Sequence, residues 1–129
     1  MIYEKLGSYL RKVYVDGFYS SRISIHEGIK AQVYVLGYRE LLHPILEADV
    51  KIGRIDCIFL KGDTPVCAIE VDNSIKQKSI EKLKSLPEST EKIIIAYCSS
   101  DSTYNKALSR HKGNLNGIRV FRPRKKRDY

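Results

Sequence analysis

Only three of the 129 residues are cysteines, and no two of them stand at C-x-x-C spacing. An odd, scattered set gives neither a disulfide framework nor a zinc knuckle. Cys57 and Cys67 fall in two strand-like runs and Cys98 ends a third, so all three read as small buried hydrophobes. His26, His43 and His111 are equally scattered and read as surface or cap residues rather than ligands. No apolar run approaches the ~20 residues that a membrane helix needs. The first residues, MIYEKLGSYLRK, hold Glu4 and alternating polar positions where a signal peptide would hold an unbroken apolar core. The expectation is a cytoplasmic protein with no membrane segment and no small-molecule cofactor. Internal repeats and linkers are absent too. A chain of this length is expected to form one domain, residues 1–121, followed by a basic tail at 122–129.

Acid is the scarcer charge. Lys and Arg total 23 against 15 Asp and Glu, a formal net of +8. That balance favours a polyanionic partner, nucleic acid above all. The plainer explanation is solubility, or the lysine preference of a hot environment, and charge alone does not separate the two. Hydrophobic residues at 43% and charged residues at 29% exclude a disordered chain. At this length a core forms without disulfides or a structural metal.

Apolar residues at Ile2, Leu6, Tyr9, Leu10 and Val13 predict a helix over 1–14, broken by Asp16-Gly17. Ser20, Ser21 and Ser24 offer caps for a second helix from about Ile25 to Tyr38, with Ile29, Val33 and Leu36 facing the core. The tract Gln32 to Leu36 has strand propensity, but the preceding residues are helix-like and Gly37 suits a C-terminal stop. His43-Pro44 marks a break. From there the period becomes two. Leu46–Ile52 alternates, with Glu47, Asp49 and Lys51 on one side, and strands follow at Arg54–Leu60 and Pro65–Asp72. Ser74 would cap a helix from Ile75 to about Leu86, burying Ile75, Ser79, Ile80 and Leu83, and Pro87 would end it. Lys92–Cys98 is a continuous apolar run suited to a central strand. Ser102 opens a short helix to His111, and Gly117–Phe121 is a last strand. The order is that of an α/β domain around one mixed sheet.

Two of these strands carry acids where hydrocarbon is expected. Asp56 sits in Ile-Asp-Cys-Ile-Phe, and Glu70 and Asp72 sit in Ala-Ile-Glu-Val-Asp. Alternation puts Arg54, Asp56 and Ile58 on one face, and Ile55, Cys57 and Phe59 on the other. Ala68, Glu70 and Asp72 likewise share a face. Pairing Lys61 with Pro65 leaves a three-residue loop, Gly62-Asp63-Thr64, and counting back sets Asp56 opposite Glu70. Facing Cβ atoms lie ~5 Å apart. Two ionised carboxylates at that distance repel, so one takes up a proton or a cation sits between them. A hard divalent ion, Mg²⁺ or Mn²⁺, suits oxygen ligands. The competing explanation is a solvated hairpin face. Against it stand the apolar neighbours, the helix that follows at once, and the cost of isolating carboxylates among Ile, Val and Cys.

Gly-Arg-Ile-Asp56, a short hairpin, then Ala-Ile-Glu70-Val-Asp72-Asn-Ser and a helix resemble the PD-(D/E)XK nuclease superfamily, with its restriction-endonuclease-like fold. Small archaeal and viral resolvase-type nucleases are nearest in character. The resemblance covers residues 24–98 and implies an αβββαβ core, here with an extra N-terminal helix and a C-terminal helix and strand. It implies that Asp56 is the metal-binding aspartate, that Glu70 is the acid of the E-x-K motif, and that Glu27 is the additional acid on the preceding helix. Glu40 and Glu47 are weaker candidates for that last role. Where the family has lysine, this chain has Asp72. Either Asp72 is a further metal ligand, or Lys76 or Lys78 supplies the positive charge from the helix, or catalysis has been lost.

The implied activity is Mg²⁺- or Mn²⁺-dependent endonucleolytic hydrolysis of nucleic acid, DNA foremost. Lys51, Arg54, Lys76, Lys78 and Lys82 would meet the backbone of that nucleic acid, unless those lysines are simply a solvated face. Members of this kind often act as homodimers. The alternative is a catalytically inactive nuclease-like domain that binds DNA or a protein partner.

Overall fold

The computed structural model describes residues 1–15, 22–98 and 100–123. A 3-10 turn, Tyr3–Lys5, leads into helix α1, Leu6–Val15; α2 is Arg22–Arg39. Strands β1 (His43–Val50), β2 (Gly53–Lys61) and β3 (Thr64–Asp72) follow, then α3 (Gln77–Lys84), β4 (Glu91–Ala96), α4 (Asp101–His111) and β5 (Ile118–Phe121). The five strands form one open mixed sheet in the order β1-β2-β3-β4-β5. The first three are antiparallel, and β3, β4 and β5 run parallel.

Helices cover both faces. Ile29, Val33 and Leu36 of α2 pack with Leu6 and Leu10 of α1 against Cys57, Phe59, Ile69, Ile93 and Ile95. Ile75, Ile80 and Leu83 pack against Ile58, Ala68, Ile94 and Ala96 on the other face, together with Ala107 of α4. Because β4 is central and covered twice, Ile93, Ile94 and Ile95 are all fully buried, and the strand reads as continuous rather than alternating. Each such side chain contributes on the order of 1.5–3 kcal/mol by leaving water. Cys57, Cys67 and Cys98 are buried free thiols, as their apolar settings imply. Burial raises the Cys57 thiol to about 12.

Several expected boundaries move. The break at Asp16-Gly17 and the caps at Ser20 and Ser21 lie outside the described residues, as do positions 124–129 of the tail. Ser24 falls inside α2 rather than before it. Gly37 does not stop α2. It is buried within the helix, where an added Cβ would stand 2.8 Å from Phe59 Cε1 and 3.0 Å from Pro44 Cβ. The stop is Leu41, left-handed at φ 60, while the Leu42 N–H donates to the Gly37 carbonyl at 2.9 Å. β1 starts at His43 and includes Pro44, which an edge strand tolerates. Ser74 caps nothing: α3 begins two residues after Ile75, with Lys76 in extended conformation as its N-cap. At α4 the capping hydroxyl is that of Ser100, which accepts from the Thr103 N–H, so Ser102 lies one residue inside. Arg122, counted with the tail, is anchored by Asp101 and the Cys98 carbonyl. His111 is buried at the end of α4, not on the surface.

The β2–β3 connection also departs from expectation, in two ways that cancel. The turn has two residues, Gly62-Asp63, because Lys61 pairs with Thr64 and Gly62 takes φ 62. One step further, Leu60 pairs with Pro65 but Phe59 pairs with Cys67, so Val66 is bulged out. The bulge restores the register that a three-residue loop would have set, and Asp56 again counts opposite Glu70.

Candidate functional site

The β2–β3 ladder runs from Lys61↔Thr64 down to Cys57↔Ile69, where backbone pairing ends. Past that point side chains take over. The Asp56 N–H donates to Glu70 Oε2 at 2.9 Å, and the Val71 N–H donates to Asp56 Oδ2 at 2.7 Å. Each carboxylate thus satisfies a backbone donor on the facing strand that the ladder would otherwise leave orphaned. On the other side the β1–β2 ladder passes from Leu46↔Cys57 to Ala48↔Ile55 and skips Glu47 and Asp56. Glu47 there has φ 52, a left-handed conformation uncommon for glutamate.

This irregularity overturns the expected faces of β2. Cys57 and Phe59 belong to the α2-side core, but Ile55 packs with Ile58 on the α3 side. Simple alternation holds only while the ladder does, and it fails at Asp56. The carboxyl therefore lies in the opening between strands rather than squarely on one face.

Glu70 is 1% exposed, and burial pushes it up to about 7 despite hydrogen bonds from Lys82 and the Asp56 N–H that favour its charged form. Burial also raises Asp56, against the pull of the Val71 N–H. The cation at the site is Lys82. Its Nζ stands 2.6 Å from Glu70 Oε1 and donates to the Arg54 carbonyl at 2.8 Å. Its stem crosses Gly53, where an added Cβ would lie 3.2 Å from Lys82 Cδ. Gly53 itself takes φ 146, so the strand is shaped to receive the lysine.

The other expected residues distribute as follows. Asp72 accepts from the Ser79 hydroxyl at 2.5 Å, and Lys76 Nζ lies 3.7 Å from its other oxygen. Lys78 is exposed on α3, and Lys51 is exposed in the β1–β2 turn. Arg54 pairs with Asp49 at 3.2 Å. Glu27 has a side chain 62% exposed and lies 3.8 Å from Lys30. Glu40 pairs with Lys5, tying the 3-10 turn before α1 to the end of α2. Glu47 is nearer the pair than either. It accepts from Lys30 at 2.9 Å, and this bond, helped by Asp56, holds its carboxyl below the ordinary range. Desolvation is the largest single influence on Lys30, buried on α2, and lowers it, but the Glu47 bond together with the charges of Glu47, Glu27 and Asp56 leaves it raised.

Sequence reasoning missed Lys30, Ser79 as a ligand of Asp72, and the ring pair His26–Tyr97, whose centroids lie 6.1 Å apart. Tyr97 follows β4, its N–H donates to the Asp72 carbonyl, and burial together with Asp72 and Asp56 raises its hydroxyl. Sequence did hold a signal for Lys82. It stands three residues after Ser79, beside the buried stripe of α3.

Asp56, Glu70 and Glu47 therefore bring carboxylate oxygens from three adjacent strands to one opening, the donor chemistry that Mg²⁺ and Mn²⁺ take. Among the described residues, no three acids, histidines or cysteines converge closely enough to cage an ion as they stand. Also among the described residues, no helix is long and apolar enough to cross a membrane. Compared with family models, curated proteins and solved structures, the chain matches none.

Proposed function

We propose that this chain is a restriction-endonuclease-like domain of the PD-(D/E)XK superfamily, hydrolysing phosphodiester bonds in DNA with Mg²⁺ or Mn²⁺. The observation that carries the proposal is the pair of half-buried Asp56 and buried Glu70, set where β2 and β3 part, with an ammonium group against Glu70. The order α2-β1-β2-β3-α3-β4, three antiparallel strands followed by a parallel one, supports the αβββαβ core.

Asp56 and Glu70 would hold the ion, with Glu47 the nearest further acid. An ion there would supply an activated water and offset charge building on the phosphate. Lys82 takes the part assigned to Lys76 or Lys78, because it alone of the three reaches Glu70. Asp72, bonded to Ser79 and Lys76, fixes α3 against the end of β3, which holds Lys82 in place. Lys51, Lys78 and Arg54, all exposed, would meet the DNA backbone without reading bases.

A second reading, an inactive nuclease-like domain that binds DNA or a protein partner, is favoured by Asp72. Its oxygens are already bonded within the protein, where an active member would present lysine. Incubation with plasmid, single-stranded and four-way-junction DNA plus Mn²⁺ separates the two. Cleavage by the wild type, lost in Glu70→Ala, is the expected result. Binding without cleavage leaves the second reading, and cleavage that survives Glu70→Ala would sink the site assignment.

A further inference from the structure

We propose that Lys82 is the resident cation of this site: it occupies Glu70 in the metal-free protein and leaves when a divalent ion binds, so that metal uptake and release of the lysine are a single equilibrium. The inference rests on the metal-dependent reading above.

Its warrant is the position of the ammonium group. Beyond Cys57↔Ile69 the two strands share no backbone ladder. Lys82 spans the gap instead, bonding the Arg54 carbonyl on β2 and Glu70 Oε1 on β3. An ion between Asp56 and Glu70 would span the same gap, from β2 to β3, through the same Glu70 carboxylate. Glu70 is buried, and both its oxygens are engaged already, one by Lys82 and one by the Asp56 N–H. Two cations on one buried carboxylate would repel across a few ångströms of low dielectric, where charges interact several-fold more strongly than in water. One therefore excludes the other.

The lysine is equipped to leave. Its side chain is 16% exposed, it sits in the last turn of α3, and Gly53 offers no Cβ to lock its stem. Once released, its flexible stem lets the ammonium group follow a phosphate at the same opening. The substitution of Asp72 for the strand lysine is then compensated by a lysine that is stored on Glu70 until the ion arrives.

Calorimetric titration with Mn²⁺ tests this in wild type and Lys82→Met, alongside thermal melts without metal. Lys82→Met should melt lower when metal-free, yet bind Mn²⁺ roughly tenfold more tightly, equivalent to ~1.4 kcal/mol, the order of one charge-assisted hydrogen bond. Lys82→Arg, which keeps the charge and the reach, should stay close to wild type. In the wild type, the ¹⁵N-labelled Lys82 ammonium resonance, identified by its loss in Lys82→Arg, should shift to a solvent-exchanging position on saturation with Mg²⁺. This last readout stands even if Lys82→Met does not fold. Equal or weaker Mn²⁺ binding by Lys82→Met, or an ammonium resonance unmoved by Mg²⁺, overturns the inference while leaving the metal site intact. Absence of binding in every variant removes the metal-dependent reading itself, and the inference with it.

Discussion

Glu70 carries two opposed demands. Burial in an apolar sheet favours its neutral form, and Lys82 with the Asp56 N–H favours the charged one. Burial prevails, and the group titrates near 7, above the 4.5 of a free glutamate. A carboxyl that holds its proton more tightly folded than unfolded adds stability that is complete below the unfolded value. That stability is lost as pH rises through the folded one. Asp56 is raised as well and acts in the same direction, while Glu47, lowered by Lys30, acts oppositely and at lower pH. Metal-free protein should therefore lose melting temperature between about pH 5 and about pH 8, and Glu70→Gln should flatten most of that slope. Parallel curves for the two proteins would show that Glu70 does not titrate in this window. The same proton explains why a divalent ion should bind better toward alkaline pH, since a carboxylate must be free of its proton to ligate.

Between elements, the tightest constraint is the crossing of α2 over β2 at Gly37. Alanine is the better helix former by about 1 kcal/mol, but here its methyl would press within 2.8 Å of the buried Phe59 ring and 3.0 Å of Pro44. Overpacking of this kind costs ~1–3 kcal/mol. Gly37→Ala should thus destabilise the fold in a urea titration despite its propensity, and a gain in stability would mean that Phe59 has room to turn aside. The glycine also shows where sequence reading stops. Stripes such as Ile29-Val33-Leu36 and Ser79-Ile80-Leu83 are visible because burial follows helical period, and Ile93 to Ile95 because a doubly covered strand is apolar throughout. Gly37 reads as a stop because glycine usually serves there, whereas close approach of a strand is invisible along one chain. Leu41, the true left-handed stop, carries no such mark. The facing of Asp56 and Glu70 was legible only because a two-residue turn and the Val66 bulge offset one another. The role of Lys82 is hidden for a local reason: a helix starting at Ile75 puts Lys76 and Lys78 in its first turns, nearest the end of β3. In the structure Lys76 is an extended N-cap, and the helix that begins after it turns Lys82 toward Glu70 instead.

Over the whole molecule Lys and Arg total 23 against 15 Asp and Glu, and two of those lysines bear on the site. The approach of Lys82 to Gly53 sets α3 beside the β1–β2 turn, and Lys78 on that helix and Lys51 in that turn are both exposed. Neither touches the carboxylates, which makes them a probe of substrate approach alone. A polyanion drawn to this opening would release a counterion at each phosphate that a lysine neutralises. The logarithm of its affinity would then fall linearly with that of salt, by about 0.9 per contact on duplex DNA. The double variant Lys51→Gln, Lys78→Gln should therefore bind duplex DNA more weakly at low salt, with its salt slope shallower by about 2. Its melting temperature should be unchanged, because solvated lysines on a basic surface contribute little to folding. An unchanged slope would mean that the positive charge of this face is solvation only, and that whatever reaches Asp56 and Glu70 does not arrive along α3.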